Sequence, residues 1–255
     1  MGRLINLLEK EEYISFTSIN GGLKVNAIPR ESFLKILVED EYIDDVKKII
    51  YNFNKIIKNE LKSSDNNVAI EILKINEKNQ YVFSKETQHK INLILMHLPY
   101  GINTISSDID GLVESSSNIG IVSTHNDKII FSNSYRSSIG SIKNDILLKI
   151  QSIAKIVDGK IDLKGEYPEW EYNNKSIIRD KFIKVYKKLY NKTPIITALH
   201  AGLECGILSK LLNNVDMISF GPNIIDVHTP NERLSISSTK RSWDYLCAVL
   251  KDFKI

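Results

Sequence analysis

The chain has 255 residues, of which 42% are hydrophobic and 25% are charged, the composition of an ordinary soluble globular protein. This length is sufficient for one large domain or for two modest ones. The 34 Lys and Arg residues nearly balance the 31 Asp and Glu residues, which leaves a net charge of +3. This balance argues against a dedicated nucleic-acid-binding protein, because such proteins concentrate positive charge on one face.

The cysteine count and the N-terminal sequence indicate a cellular compartment. Cys205 and Cys247 are the two cysteines, too few for a disulfide framework, and this indicates a reducing environment. The first residues turn acidic at Glu9 too soon for the apolar core of a secretory signal. No run of about 18 apolar residues could span a membrane. The sequence therefore predicts a cytoplasmic protein without a membrane segment.

The first part of the chain alternates between strand and helix patterns. Short β-rich runs are bounded by turn signals such as Asn20-Gly21-Gly22. The run at 43–62 has an apolar stripe at helical spacing, with Asp44 and Asp45 in its first turn. The predicted elements are a helix at 3–10, strands at 13–19 and 33–39, a helix at 43–62, a strand at 68–75 and a helix at 85–98.

The pattern then repeats. Strands are predicted at 118–124 and 128–135, joined by the turn His125-Asn126-Asp127, and they are followed by a helix at 141–157 and a short strand at 160–165. Two successive strand–strand–helix–strand units predict an antiparallel sheet with helices on one face, an α+β layer of ferredoxin-like type.

Periodicity stops near 165–175, where Pro, aromatic and amide residues predict a domain boundary. Beyond it helices and strands alternate, which predicts an α/β segment that adds strands to a larger sheet. Because two short strands make a poor independent core, we expect the other strands of that sheet to lie outside this segment. The predicted elements are helices at 176–190, 203–212 and 239–253 and strands at 194–199 and 216–220.

Polar residues of catalytic type are densest between 194 and 236. His200 and His228 follow predicted strands or lie in loops, where α/β sheets bind ligands. A neutral imidazole is a common zinc ligand, and Asp226 or Glu232 is close enough in sequence to orient His228. Zinc requires three or four ligands, and no other residue here has ligand spacing. A structural or solvated histidine is the competing interpretation.

A cysteine hydrolase is a weaker hypothesis. His200, Glu204 and Cys205 lie on a single turn, where their side chains cannot converge as a base, an orienting acid and a nucleophile, and no G-x-S-x-G motif is present. Cys205 is therefore predicted to be a buried helical residue. His97 is predicted to pack near a helix end and His125 to be exposed in a hairpin turn.

Two places in the first part of the chain could bind a ligand. Residues 21–30 form a glycine-rich connection that contains Asn26, and the strand at 128–135 leads into Arg136. A guanidinium at a strand end can clamp a carboxylate or an oxyanion. A surface charge is the alternative interpretation of Arg136.

Several motifs in one order resemble a known family. The chain is similar, from about residue 3 to its C-terminus, to bacterial aminoacyl-histidine dipeptidases (Xaa-His dipeptidases), which are two-zinc exopeptidases. HAGLECG and the H-T-P-x-E run after S-x-G-P are its most specific parts. The motifs are GGLKVNAIPRESF, SSNIGIV, the Arg136 strand, KGEYPEW, NKTPIITALHAGLECGIL, DMISFGPNIIDVHTPNERLSI and SWDYLCAVLK.

The resemblance implies a division of the chain and roles for single residues. Residues 1–165 would form a lid domain lacking its first residues, and 166–255 the closing α/β segment of a zinc-exopeptidase catalytic domain. His228 would be the final zinc ligand, and the other ligands and the general base are expected upstream of this chain. The substrate-binding residues would be Asn26, Arg136 and Gly202, with His200 and Glu204 shaping the pocket.

The implied function is zinc-dependent hydrolysis of Xaa-His dipeptides, with this chain as a fragment or split half that is inactive by itself. Its expected partners are the dipeptide substrate and a separate N-terminal half, and the resemblance allows a homodimer. A non-catalytic remnant, or a module in which the lid mediates association, is the alternative.

Overall fold

The computed structural model describes residues 1–75, 81–198, 204–212, 215–227 and 229–253. Its contacts divide the chain into two compact units. The first unit comprises Met1–Asn103, Ser116–Tyr135 and Asn144–Asp162, and the second comprises Thr104–Ser115, Arg136–Lys143 and Leu163–Ile255. The division into a lid at 1–165 and a catalytic segment at 166–255 stays a prediction.

The helices and strands follow one another in mixed order. The first part contains α1 (Gly2–Leu8), β1 (Ile14–Gly21), β2 (Ser32–Val38), a 3-10 turn (Asp40–Tyr42), α2 (Ile43–Glu60) and α3 (Lys85–His97). Next come β3 (Gly101–Ile105), β4 (Val113–Thr124), β5 (Ile129–Ser137) and α4 (Gly140–Ile156). The last part contains α5 (Ile177–Tyr190), α6 (Glu204–Leu211), β6 (Ile224–Ile225), β7 (Arg233–Leu234) and α7 (Ile236–Asp252).

The main sheet has the strand order β2–β1–β4–β3, and β5 also pairs with β4. β1 runs antiparallel to β2 along its length and meets β4 antiparallel at Gly21 and Val122. The predicted mixture of helices with an antiparallel sheet is confirmed, and the predicted helices are present to within a few residues at their ends.

A β-bulge in β1 determines which of its side chains are buried. The register with β2 shifts between Phe16 and Ser18, and the extra residue changes the alternation of faces. Ile14, Phe16 and Ile19 are consequently all buried, although simple alternation would place Ile19 on the opposite face from the other two.

The core of the first unit lies between β1 and three helices. Leu4, Ile5 and Leu8 of α1 are buried together with residues of α2 and α3. One buried polar side chain, Gln88 of α3, accepts a hydrogen bond from the Phe16 amide at 3.2 Å and donates one to the Phe83 carbonyl at 3.1 Å. Its polar group therefore enters the core with partners, as burial requires.

The core of the second unit is aromatic and lies between α5 and α7. Phe182 and Val185 of α5 pack against Tyr245 and Val249 of α7. The rings of Phe182 and Tyr245 meet edge to face at a centroid separation of 5.3 Å, a favoured arrangement for aromatic pairs. The Tyr245 hydroxyl donates to the Phe182 carbonyl at 2.7 Å in this buried site.

Four of the short strand predictions are wrong within the described residues. No strand is present at 68–75, at 160–165, in the described part of 194–199, or at 216–220. The Ile70 amide instead donates to the Asn54 side chain, and Ile195 is 93% exposed. A β-rich composition shows that the side chains suit a half-buried sheet. A strand forms only where a neighbouring strand pairs with it, so composition alone does not predict one.

Apolar side chains are exposed across much of the second unit. On α6 the exposed residues are Ile207, Leu208 and Leu211, and on α7 Trp243 and Leu250. Apolar surface of this extent usually marks an interaction surface, and the completion of a larger sheet by 166–255 stays a prediction. Within the described residues, no helix combines the length and apolar character needed to cross a membrane.

We expect Tyr245→Phe to lower the free energy of unfolding by about 1–2 kcal/mol, because the hydroxyl bond to the Phe182 carbonyl is buried. Burial also raises the pKa of Tyr245 to about 12. Because an unfolded tyrosine ionises near pH 10, this tyrosine's contribution is complete below that pH and falls as the pH rises toward 12. Urea denaturation followed by circular dichroism measures both effects.

Tyr190→Phe is the matched control. Its hydroxyl donates to the Arg241 carbonyl at 3.2 Å in an exposed position, so removing it should change stability by less than about 0.5 kcal/mol. Equal losses in the two variants would contradict the special role of the buried bond.

Candidate active-site residues

The predicted site residues fall into three groups. Asn26 lies in the first unit, and Arg136 and Glu204 lie in the second. His200, Gly202 and His228 lie outside the described residues, so their roles stay predictions. No hydrogen bond or ion pair between described residues joins Arg136 to Glu204.

Asn26 lies on an exposed turn between β1 and β2. The turn runs from Lys24 to Ala27 and is closed by a hydrogen bond from the Ala27 amide to the Lys24 carbonyl at 3.2 Å. Asn26 is its third residue and is exposed. Its side chain forms no hydrogen bond to another described residue, so the amide is available to a ligand.

Two glycines allow this turn to press directly on β4. Gly22 has a φ of 77°, and a Cβ atom there would overlap the carbonyl oxygen of Gly120. A Cβ atom on Gly120 would in turn overlap the carbonyl oxygen of Val25. The backbone therefore approaches β4 more closely than any side chain would permit, and glycine is required at both positions.

Arg136 lies at the end of β5, where the chain turns into α4. The next two residues, Ser137 and Ser138, are buried. Their local bonds fix the backbone: the Ser138 amide donates to the Glu114 carbonyl at 3.1 Å, and the Ile139 amide donates to Ser137 Oγ at 3.0 Å. Half-buried Arg136 forms no ion pair with a described residue. A positive charge without a counterion on a fixed backbone suits the binding of a carboxylate.

The segment 167–171, which overlaps the end of the KGEYPEW motif, packs on the start of α4. Lys143 Nζ donates to the Tyr167 carbonyl at 2.9 Å and to Glu169 Oε2 at 2.6 Å. The Gly140 amide donates to Glu171 Oε1 at 3.1 Å. Both carboxylates thus lie near a helix N-terminus, where negative charge is stabilised, and the hydrogen bond from Lys143 lowers the pKa of Glu169.

The same segment also contacts α6. Gly206 is buried, and a Cβ atom there would lie 2.5 Å from the Pro168 carbonyl oxygen. The segment 167–171 therefore lies between the start of α4, four residues after Arg136, and α6, which begins at Glu204. Exposed Glu204 occupies the first turn of α6, where its charge suits the helix dipole.

The loop that contains His228 is closed at its base. β6 and β7 pair at Ile224 with Leu234 and at Ile225 with Arg233. Asp226, at a φ of 57°, accepts an ion-pair bond from Arg233 at 2.7 Å. The Asp226 carbonyl accepts a hydrogen bond from the Thr229 hydroxyl at 2.7 Å. Asp226 therefore has a partner in Arg233, and its predicted role in orienting His228 stays a prediction.

The described residues do not form a zinc site by themselves. Within the ranges that the structure covers, no group of three or more His, Cys, Asp or Glu side chains could hold a metal ion. The predicted single ligand, His228, lies outside those ranges.

Cys205 has the environment of a structural thiol. Burial raises its pKa, and the nearby Glu204 carboxylate raises it further, so the thiol stays protonated at neutral pH. A catalytic cysteine needs the opposite shift. Two histidines of the first unit have local partners: His97 Nδ1 contacts the Leu93 carbonyl, and exposed His125 contacts Ser123. His125 is exposed as predicted, whereas His97 lies at the end of α3 as predicted but is exposed rather than packed.

Comparisons with known proteins identify what the chain is similar to. Residues 1–65 match the model of the peptidase dimerisation domain of the M20 family. The chain is 34% identical over 233 residues to the cytosol non-specific dipeptidase of Escherichia coli K12. This alignment covers 91% of this chain and 48% of that protein.

Solved structures give the same result. The aminoacylhistidine dipeptidase of Vibrio alginolyticus superposes with a TM-score of 0.92 at 30% identity, covering 99% of this chain and 51% of that one. The aminopeptidase PepT of Bacillus cereus shares the fold at a TM-score of 0.50 and 16% identity, over 66% of this chain and 45% of that one. The chain spans about half the length of each of these proteins.

The fold and the dimerisation-domain match define the class: this is the fold of peptidases with an M20-type dimerisation domain. Within that class, the predicted resemblance to aminoacyl-histidine dipeptidases is confirmed.

We expect Gly206→Ala to lower the free energy of unfolding by about 1–3 kcal/mol, because the added methyl group displaces the Pro168 backbone. Helix propensity alone would favour alanine by about 1 kcal/mol, so the sign of the change tests the packing directly. Thermal denaturation is the measurement. Gly221→Ala is the control, since a Cβ atom there meets nothing within 4 Å. A stabilised Gly206→Ala variant would show that α6 does not press on Pro168.

Proposed function

We propose that this chain forms the lid and the closing catalytic segment of a dipeptidase. The observation that carries the proposal is the superposition on an aminoacylhistidine dipeptidase with a TM-score of 0.92 over 99% of the chain. Similar backbone geometry at 30% identity supports the proposal that the described helices and strands have counterparts in that enzyme.

In this proposal Arg136 and Asn26 hold the dipeptide. A dipeptide has a terminal carboxylate and a carbonyl that gains negative charge during hydrolysis. The Arg136 guanidinium, which forms no ion pair with a described residue, can donate two hydrogen bonds to either group, and the exposed Asn26 amide can donate a further hydrogen bond. Both act by orienting the substrate and stabilising developing charge. The Gly202 backbone would also bind substrate, with His200 and Glu204 shaping its surroundings.

A catalytic metal is part of this proposal, and the described residues alone form no site for it. His228 would supply one zinc ligand, and the remaining ligands and the general base would come from residues outside this chain. The general base is therefore not assigned to any side chain described above.

The substrate class follows from the relatives. One is named a non-specific dipeptidase and the other an aminoacylhistidine dipeptidase. We therefore assign dipeptides as the substrates, with Xaa-His dipeptides among them. The cytoplasm is the proposed location, because the Escherichia coli relative is a cytosolic enzyme.

Two kinds of protein partner are part of the proposal. The exposed apolar residues of α6 and α7 would pack against the remaining half of the catalytic domain, from the same polypeptide or from a separate one. The dimerisation-domain match at residues 1–65 supports a homodimer through the lid.

The decisive experiment compares two preparations in a dipeptide hydrolysis assay with added zinc. This chain alone should be inactive, because in this proposal it supplies a single zinc ligand, His228, and one histidine cannot hold a pair of zinc ions. The chain co-expressed with the segment encoded immediately upstream should hydrolyse Xaa-His dipeptides. Inactivity of the assembled preparation would favour the alternative, a non-catalytic association module, and activity of the isolated chain would disprove the need for a second half.

In the assembled enzyme, we expect Arg136→Ala to lower kcat/KM for a dipeptide by at least about 100-fold, because it removes a charge-assisted contact to the reacting group. Arg136→Lys should retain part of the activity, since an ammonium keeps the charge but loses the bidentate geometry. Steady-state kinetics is the measurement. Exposed Arg241 gives the matched control, and Arg241→Ala should leave kcat/KM unchanged. An active Arg136→Ala enzyme would remove Arg136 from the substrate site.

A further inference from the structure

A side chain of β4 holds the turn that carries Asn26. Asn118 Nδ2 donates hydrogen bonds to the Val25 carbonyl at 3.0 Å and to the Ala27 carbonyl at 2.8 Å. These two carbonyls flank Asn26 on either side. Because the amide has two N–H groups, one side chain fixes the backbone before and after the predicted substrate-binding residue.

The orientation of the Asn118 amide is determined by its partners. Both acceptors are carbonyl oxygens, so the nitrogen must face them. The Asn118 Oδ1 atom is left buried with no hydrogen-bond partner among the described residues. A buried acceptor without a partner is unfavourable, and the structure retains it in order to hold the turn.

Burial of apolar groups does not hold the turn in place. Leu23 and Ile28, on either side of it, are 86% and 75% exposed. What fixes the turn is its backbone contact with Gly120 and the two Asn118 bonds. Removing those bonds should therefore release the turn without disturbing the core of the first unit.

We propose that Asn118 is a positioning residue that sets the Asn26 amide for substrate binding. This inference rests on the proposed function of Asn26. It goes further by naming the side chain that orders the turn before the substrate arrives, so that less conformational entropy is lost on binding.

A test on the purified chain uses Asn118→Asp. The new side chain has the same shape as asparagine, but it places a carboxylate oxygen against the Val25 and Ala27 carbonyls and cannot donate hydrogen bonds to them. Hydrogen exchange of the Ala27 amide, which closes the turn, should become at least about tenfold faster. Exchange in α1–α3 should stay unchanged. Asn103→Ala is the control, since Asn103 Nδ2 bonds only to Ser117 Oγ at 2.9 Å among the described residues. Unchanged Ala27 exchange in Asn118→Asp overturns the inference.

A second arm uses the assembled enzyme and a double-mutant cycle. Asn118→Asp and Asn26→Ala should each lower kcat/KM at least about tenfold, and the double variant should lose no more than Asn26→Ala alone. Additive losses would mean that Asn118 acts only as a structural residue, and they overturn the inference.

The two arms separate the possible failures. If Asn26→Ala leaves activity unchanged while Ala27 exchange is faster in Asn118→Asp, the proposed role of Asn26 fails, although Asn118 does order the turn. If Asn26→Ala is impaired and Ala27 exchange is unchanged in Asn118→Asp, the inference on Asn118 fails and the proposed function survives.

Discussion

The close approach of the turn at Lys24–Ala27 to β4 is the contact on which the predicted substrate-binding face of the first unit depends. It requires glycine at positions 22 and 120, because a Cβ atom at either would overlap a backbone oxygen. Since β4 also pairs with β1, β3 and β5, the turn rests on the most extensively paired strand of the sheet. A flexible loop is thereby held by a rigid element, as a binding residue requires.

The second unit uses the same principle with different chemistry. Lys143 and Gly140 bind the side chains of Glu169 and Glu171, and Gly206 admits the Pro168 backbone. One short segment thus connects the helix that follows Arg136 with the helix that begins at Glu204. The segment 167–171 therefore has a physical explanation, since Glu169, Glu171 and the Pro168 carbonyl are all engaged in this packing.

Local signals in the sequence predict the helices well and the strands unevenly. The apolar stripe of α2 is a property of its own residues, so periodicity alone finds it. A strand at 194–198 would depend on partners that pair with it, and Ile195 is exposed, with no pairing strand among the described residues. Asn26 and Arg136 were found through motif resemblance. The role of Asn118 was invisible, because its bonds join residues 93 and 91 positions apart.

Under the proposed function, the wrong strand predictions and the exposed apolar residues of the second unit would have one explanation. β-rich runs at 194–198 and 216–220 and the outer faces of α6 and α7 all carry side chains that suit a buried sheet. Among the described residues no strand pairs with these runs, and the Asp216 side chain instead accepts a hydrogen bond from the Ile178 amide of α5 at 2.9 Å. In an assembled dipeptidase, the added strands would pair with these runs and cover α6 and α7, so assembly and formation of the active site would be a single event.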